Sequence, residues 1–235
     1  TNKKIRIYAY QQFRKTNFNM HMQISEKERG FGTAPDRIIV NGSFFIPSVT
    51  DYDYMALSIR NNEIFKIEIN HMPEKYLVLL PYMLDESKNI LKIVSASKIS
   101  KDNIYIKPHP ILNPSLLEKY WQAEGFINGN VYEHLSNSKL VITSTSVMAL
   151  EAVSVGVSVI LISDRSKVIV NPLIDLGKGL IWDMAYDSDE LSEVYKALIQ
   201  NRNKKRNEII KVADEYKQLF FTQPSEEMIL KSFDA

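Results

Sequence analysis

Lys139-Leu140-Val141-Ile142-Thr143-Ser144-Thr145-Ser146-Val147-Met148-Ala149-Leu150-Glu151-Ala152 is the stretch that decides the fold. Residues 139–143 are an apolar run of strand length, and 146–154 have the composition of a helix. Three hydroxyl residues stand between them. This is the layout of a buried parallel strand that ends in a polar turn and passes into a helix. Upstream, Asn103-Ile104-Tyr105-Ile106 leads in the same way into Lys107-Pro108-His109-Pro110. Earlier still, Tyr76-Leu77-Val78-Leu79-Leu80 is continuously apolar, as a strand covered on both faces should be.

Working outward, the chain alternates the two patterns. Strands are expected at 5–10, 37–42, 76–80, 103–106, 125–127, 139–143, 157–162 and 179–182. Helices are expected at 85–96 (with Asp85 as its cap), 114–123, 131–136, 146–154, 188–200, 203–220 and 225–233. Residues 11–35 are polar without clear periodicity, and 48–73 stay mixed. Gly156 stands where a left-handed helix cap favours glycine. The alternation predicts an α/β fold with a doubly wound parallel sheet and a C-terminal helical tail. In open sheets of this kind ligands bind beside the carboxyl ends of the strands. The basic run at 201–208 reads as a solvated helix start.

Bulk composition narrows the function. The 235 residues can bury a sizeable core, and net charge is +1 with 45% hydrophobic residues. That balance gives no case for a nucleic-acid partner. Cysteine is absent, which excludes disulfides and thiolate metal sites and fits a reducing, cytoplasmic setting. No apolar run approaches the roughly 20 residues that span a bilayer. The chain opens at Thr1 rather than Met, so it is expected to be processed or a piece of something longer. With eight glycines and neither a GxGxxG nor a P-loop pattern, a classical dinucleotide or ATP site is not expected.

The candidate site gathers at the strand ends. Two prolines fix the backbone on either side of His109, which limits where its ring points. There His109 can donate to a phosphate oxygen; the alternative is a rigid turn with a packed or solvated ring. Lys107 and Pro110 flank it, and Lys107 faces either the crevice or the sheet. Ser144, Thr145 and Ser146 can cap the following helix, bind an anion at its N-terminus, or do both. Glu151 is either solvent-facing or turned to a partner such as a ribose diol. Pro81, Tyr82 and Asn171 are expected to line the same crevice. Asp85 and Glu86 read as helix-dipole residues. His21, His71 and His134 lack metal-ligand spacing and read as structural, and no metal is expected.

Taken together, Ile106–Pro110, Ser144–Ser146, Ala149–Ala152, Gly156 and Val157–Ile162 resemble a known pattern. From about Arg37 to Glu193 the chain is similar to the C-terminal, donor-binding half of GT-B-fold glycosyltransferases. The likeness is to bacterial surface-polysaccharide enzymes with an HP motif. Bacterial sialyltransferases and Kdo transferases look similar, as do polyol-phosphate polymerases of the teichoic-acid kind. The resemblance implies that His109 and the hydroxyls of Ser144, Thr145 and Ser146 hold a nucleotide phosphate, with Lys107 and Pro110 as candidates in the same loop. It implies that Glu151 holds the ribose. It implies transfer from a nucleotide sugar to an acceptor hydroxyl without cofactor or bound metal, with CMP-linked donors favoured over UDP-linked ones.

Such enzymes commonly carry the acceptor site and catalytic base on a second Rossmann-like half. Here residues 1–45 are expected to be a lead-in from a missing or partial N-terminal half, 46–200 the donor-binding domain, and 201–235 the helical tail. The catalytic residues are left unassigned, and the chain is expected to be incomplete as an enzyme. A glycan or lipid-linked acceptor would be met through the other half, with the parent protein at the inner face of the membrane. A non-catalytic module that holds a phosphosugar or a partner protein, a polyol-phosphate transferase, and a sugar epimerase are the alternatives.

Overall fold

The computed structural model describes residues 8–11, 27, 30–32, 34–48, 53–69, 73–122, 125–144, 146–166 and 171–233. The chain divides into two compact units, one formed by Thr1–Lys66 with Tyr216–Ala235 and the other by Ile67–Glu215. These boundaries differ from those expected at 45/46 and 200/201.

Hydrogen bonding explains the first unit's extent. Strands β1 (Tyr8–Gln11), β2 (Arg37–Val40) and β3 (Asp53–Ala56) form a parallel sheet in that order. β3 lies in the stretch left mixed by the sequence. The buried Asn41 amide donates to Asn61 Oδ1 at 3.0 Å, and the Thr222 amide donates to the Asn41 carbonyl at 2.9 Å. Residues 53–66 and 216–222 are thereby tied to β2. The C-terminal helix Glu226–Ser232 belongs here too, because the Arg37 guanidinium donates to the carbonyls of Lys231 and Ser232. A cation at a helix C-terminus satisfies its orphan carbonyls and its dipole together.

The second unit carries the main sheet. Strands β4 (Lys75–Leu79), β5 (Ile104–Lys107), β6 (Ser138–Thr143), β7 (Ser158–Ile162) and β8 (Trp182–Ala185) are all parallel, in the order β5-β4-β6-β7-β8. Helices α1 (Leu84–Ala96), α2 (Val131–Ser136), α3 (Met148–Ser154) and α4 (Ser188–Lys204) connect and cover them; α5 (Arg206–Phe220) has residues in both units, and the C-terminal helix is α6. Tyr76, Val78, Leu80, Ile104, Ile106, Leu140, Ile142, Ile160 and Ile162 point to one face. There they pack with Ile90, Leu91 and Val94 of α1 and Leu191 and Leu198 of α4. Leu77, Val141, Val159 and Leu161 alternate to the other face and are just as buried. That double burial is why these strands read as continuous apolar runs.

Several local readings need correction. Asp85 does not cap α1: the N-cap is Met83, without a side-chain bond, and Asp85 pairs with Lys88 inside the first turn. The helix expected at 114–123 is a short 3-10 turn, Pro114–Leu117. Only Leu117 in it is buried while Leu116 is half exposed, so no apolar stripe sustains a longer helix. The strand at 125–127 is a single bridge between Phe126 and Ile106. The last strand lies three residues later than expected. Gly177 and Gly179, at φ +71° and +75°, turn the chain there, and the Gly179 amide donates to the Trp182 carbonyl. The basic run is not wholly solvated, since Arg202 donates to the Gly156 carbonyl at 2.9 Å. Burial, then the nearby Arg206, holds the Arg202 pKa below its usual value. Gly156 itself has φ +79°, the left-handed cap that the sequence indicated.

One contact behind the sheet makes stability depend on alkaline pH. The hydroxyls of Tyr76 (β4) and Tyr195 (α4) lie 2.7 Å apart. Burial first, and the Tyr76 hydrogen bond second, push the Tyr195 phenol up to about 12. An unfolded phenol ionises near pH ~10. The folded state therefore keeps the proton longer; its contribution is whole below about pH 10 and is lost as pH rises through the folded value. Tyr195→Phe is expected to flatten the fall in stability across that window, measured by urea unfolding at about pH 9 and about pH 11. An unchanged slope would remove Tyr195 from the account.

Candidate functional site

The strand order fixes where a ligand fits. The chain enters the second unit's sheet at β4, steps to β5 on one side, then crosses to β6 on the other. This is a topological switch point, and it opens a crevice at the carboxyl ends of β4 and β6. Pro81-Tyr82 comes after β4, Pro108–Pro110 follows β5, whose last residue is Lys107, and Ser144 follows β6. The three loops are neighbours along one edge because their strands are parallel and adjacent.

His109 is half-buried. Its Nδ1 accepts the Ile111 amide at 3.3 Å, which puts the proton of the neutral ring on Nε2. The outer nitrogen is then a donor with no described partner. Tyr82 meets the ring edge-on, with centroids 6.0 Å apart. Pro108 is buried, which anchors the loop, while Pro110 is exposed. The Lys107 backbone carbonyl accepts the Leu80 amide at 3.0 Å, so β4 and β5 stay paired up to the crevice. The Lys107 side chain lies on the sheet face shared with Tyr105, opposite Ile104 and Ile106.

The turn after β6 divides its work. Thr143 is fully buried and donates to the Leu79 carbonyl at 3.0 Å, joining β6 to β4 at the crevice floor. Ser146 Oγ accepts the Met148 amide at 3.3 Å, just ahead of α3, whose N-cap is Val147 without a side-chain bond. Ser144 is 4% exposed, and its Oγ is buried without a hydrogen-bond partner among the described residues. Leaving a buried hydroxyl unpaired costs about 1–3 kcal/mol, so the arrangement calls for a partner. Thr145 lies outside the described residues, as do His21 and His71.

Glu151 is 3% exposed, which removes the solvent-facing reading. Its Oε2 accepts the Tyr132 hydroxyl at 2.6 Å. Tyr132 has no role in the sequence reading, and nothing in a spacing of 19 residues signals the pair. Asn171 is exposed and accepts the Leu173 amide at 2.9 Å, a local turn. His134 holds the Asn128 carbonyl at 2.7 Å, a structural role. Glu86 was also missed as a group with unmet bonding: its Oε2 is buried and unpartnered on the first turn of α1, at this same edge. Among the described residues, no three His, Asp or Glu side chains cluster as a metal would require, and no helix is long and apolar enough to cross a membrane.

No protein-family model and no curated protein matches this chain. Solved structures do. A variant of the wall teichoic acid polymerase TagF superposes with a TM-score of 0.53 and 12% identity, over 88% of this chain and 60% of that one. The same polymerase soaked with CDPG gives 0.50 and 12%, over 88% and 59%. The chain shares the GT-B-like α/β fold. It spans about 60% of the length of those structures. A looser match, with a TM-score of 0.43 and 12% identity over 88% and 78%, is to UDP-GlcNAc 2-epimerase from Neisseria meningitidis bound to UDP-GlcNAc.

Proposed function

We propose that the second unit binds the nucleotide-linked donor of a transferase that builds a bacterial surface polysaccharide. The observation that carries this reading is the buried, unpartnered Ser144 hydroxyl at the switch point, with the Nε2 donor of His109 two strands away along the same edge. A phosphate accepts hydrogen bonds at every oxygen, and charge-assisted bonds to it are the stronger kind. In this reading His109 and Ser144 donate to donor phosphate, with Thr145 and Lys107 beside them. Ser146 keeps the α3 amides aligned. Glu151, steadied by Tyr132, takes ribose hydroxyls. Pro81, Tyr82, Pro110 and Asn171 line the crevice.

The chemistry follows from where charge develops. As the acceptor hydroxyl attacks the anomeric carbon, the bond to the phosphate oxygen breaks and negative charge builds on the leaving phosphate. Donors fixed at that point stabilise it. The acceptor proton passes to a general base, which is not assigned to a residue of this chain. CMP-linked donors are placed ahead of UDP-linked ones, and the acceptor is a glycan or lipid-linked hydroxyl.

The TagF likeness favours a second reading of the same crevice. There the acceptor oxygen attacks phosphorus, a polyol phosphate is transferred, and the nucleoside monophosphate leaves. Calorimetry of this chain against CMP, CDP, UDP, GDP and CDP-glycerol tests both readings. Saturable binding of a cytidine nucleotide in preference to UDP and GDP is expected. CDP-glycerol binding tighter than CDP would select polyol-phosphate transfer. No binding of any of the five would contradict the proposal.

A further inference from the structure

Ser144 and Glu86, both at the carboxyl edge of the second unit's sheet, each carry a buried oxygen with no hydrogen-bond partner among the described residues. The nucleotide reading uses only Ser144. Glu86 is the third residue of α1, whose N-cap is Met83. A glutamate at this position commonly reaches back to the N-cap amide, and here it does not. The groups beside it are already used. Lys88 pairs with Asp85 at 2.9 Å. The Ser87 hydroxyl donates to the Pro81 carbonyl at 2.9 Å, which pins the turn between β4 and α1. A carboxylate oxygen buried without a partner is costly, so the position calls for a hydrogen-bond donor.

The two oxygens belong to one face of the sheet. Along α1, Glu86 shares a flank with Ile90 and Ile93, one and two turns on, which pack into the core between the sheet and α4. Helical side chains lean towards the helix N-terminus, and that of α1 stands beyond the carboxyl end of β4. The Glu86 carboxylate is thereby directed to the crevice edge, on the face that α1 and α4 cover. Ser144 comes two residues after Ile142, which packs on that face, and it continues the alternation of β6. β4 and β6 are adjacent strands. Glu151 stands elsewhere, on α3, whose buried residues are not part of this packing.

The unmet bonds are of opposite kinds. The Ser144 hydroxyl can donate, whereas an ionised carboxylate only accepts. A phosphate also only accepts, and it carries the same sign of charge as Glu86. It can therefore satisfy Ser144 and not Glu86. The group that can satisfy Glu86 beside a phosphate is an O–H on whatever that phosphate carries. We propose that Glu86 accepts a hydrogen bond from a hydroxyl of the transferred group, a sugar or polyol, and selects for donors that have one; this rests on the nucleotide reading of the crevice. Ser144 holds the phosphate, Glu86 the group attached to it, and Glu151 the ribose. A hydrogen bond to an ionised group is stronger than one between neutral groups. A site built to bond a hydroxyl discriminates against a ligand that lacks it, because the buried oxygen is then left unpaired.

The probes are CDP, CDP-glycerol and CDP-glucose, titrated by calorimetry into the unaltered chain, Glu86→Ala and Glu86→Gln. One or both of the hydroxyl-bearing probes are expected to bind the unaltered chain more tightly than CDP does. Which of them gains names polyol or sugar. Glu86→Ala is expected to lose that advantage, about tenfold, and to bind CDP as before. Glu86→Gln keeps the shape and an uncharged acceptor, and is expected to lose part of it. Thermal unfolding should find neither variant less stable, since the charge removed has no partner. Equal affinity for all three probes, an advantage undiminished in either variant, or loss of CDP binding in a stably folded variant would overturn the proposal. Each of those results leaves CDP binding to the unaltered chain, and with it the nucleotide reading, in place. No CDP binding to the unaltered chain would remove that reading and this inference together.

Discussion

Ser144→Ala is expected to stabilise the free protein and weaken nucleotide binding at once. Its Oγ is buried without a partner, so removing it relieves a desolvation cost of about 1 kcal/mol or more. The same hydroxyl is the donor that a bound phosphate would use, and its loss should cost about tenfold in affinity. Stability gained where binding is lost is the mark of a group retained for function. His109→Ala removes a donor with no described partner on Nε2 and should cost about tenfold to a hundredfold in affinity, with little change in stability. Thermal unfolding and calorimetry on the two variants check both. A Ser144→Ala protein that is less stable and binds normally would make the hydroxyl structural.

Gly42→Ala is expected to have the largest effect on stability. The residue follows β2, and a Cβ there would run into the backbone of Phe220 and stand 2.6 Å from the Leu219 carbonyl oxygen. Neither can yield as a side-chain tip can. Phe220 is fully packed, 4.6 Å from the Phe44 ring and 5.3 Å from that of Tyr216. The clash should cost about 3 kcal/mol or more. Because residues 216–222 close the first unit, amide protection of β2 and β3 should collapse while that of β4, β6 and β7 persists. Loss of protection throughout would show instead that the two units unfold together.

The sequence spoke clearly where burial was two-sided. β4, β6 and β7 are buried on both faces, so Tyr76–Leu79, Leu140–Ile142 and Val159–Ile162 are unbroken apolar runs and the strands are visible without periodicity. The positions of the Lys107–Pro110 and Ser144–Ser146 loops followed directly. It spoke poorly where position depends on partners distant in the chain. β3 carries polar residues, and what fixes it is pairing with β2. Pro114 and Asn113 give a correct helix start signal, yet Leu117 alone is buried, and a start signal says nothing about length. Glu151 was balanced between two readings because periodicity cannot see Tyr132. The unpaired Ser144 oxygen exists only in three dimensions. Its residue type is ordinary, and what distinguishes it is the bond that is not made.

The proposed function of the second unit stands or falls on nucleotide phosphate binding at His109. The most direct measurement is the ¹⁵N–¹H spectrum of the histidine side chains during a CDP titration, with His109→Gln assigning the resonance. The His109 Nε2 signal is expected to shift in step with binding, while that of His134, held by the Asn128 carbonyl, stays in place. A His109 signal that does not move at saturating CDP would contradict it.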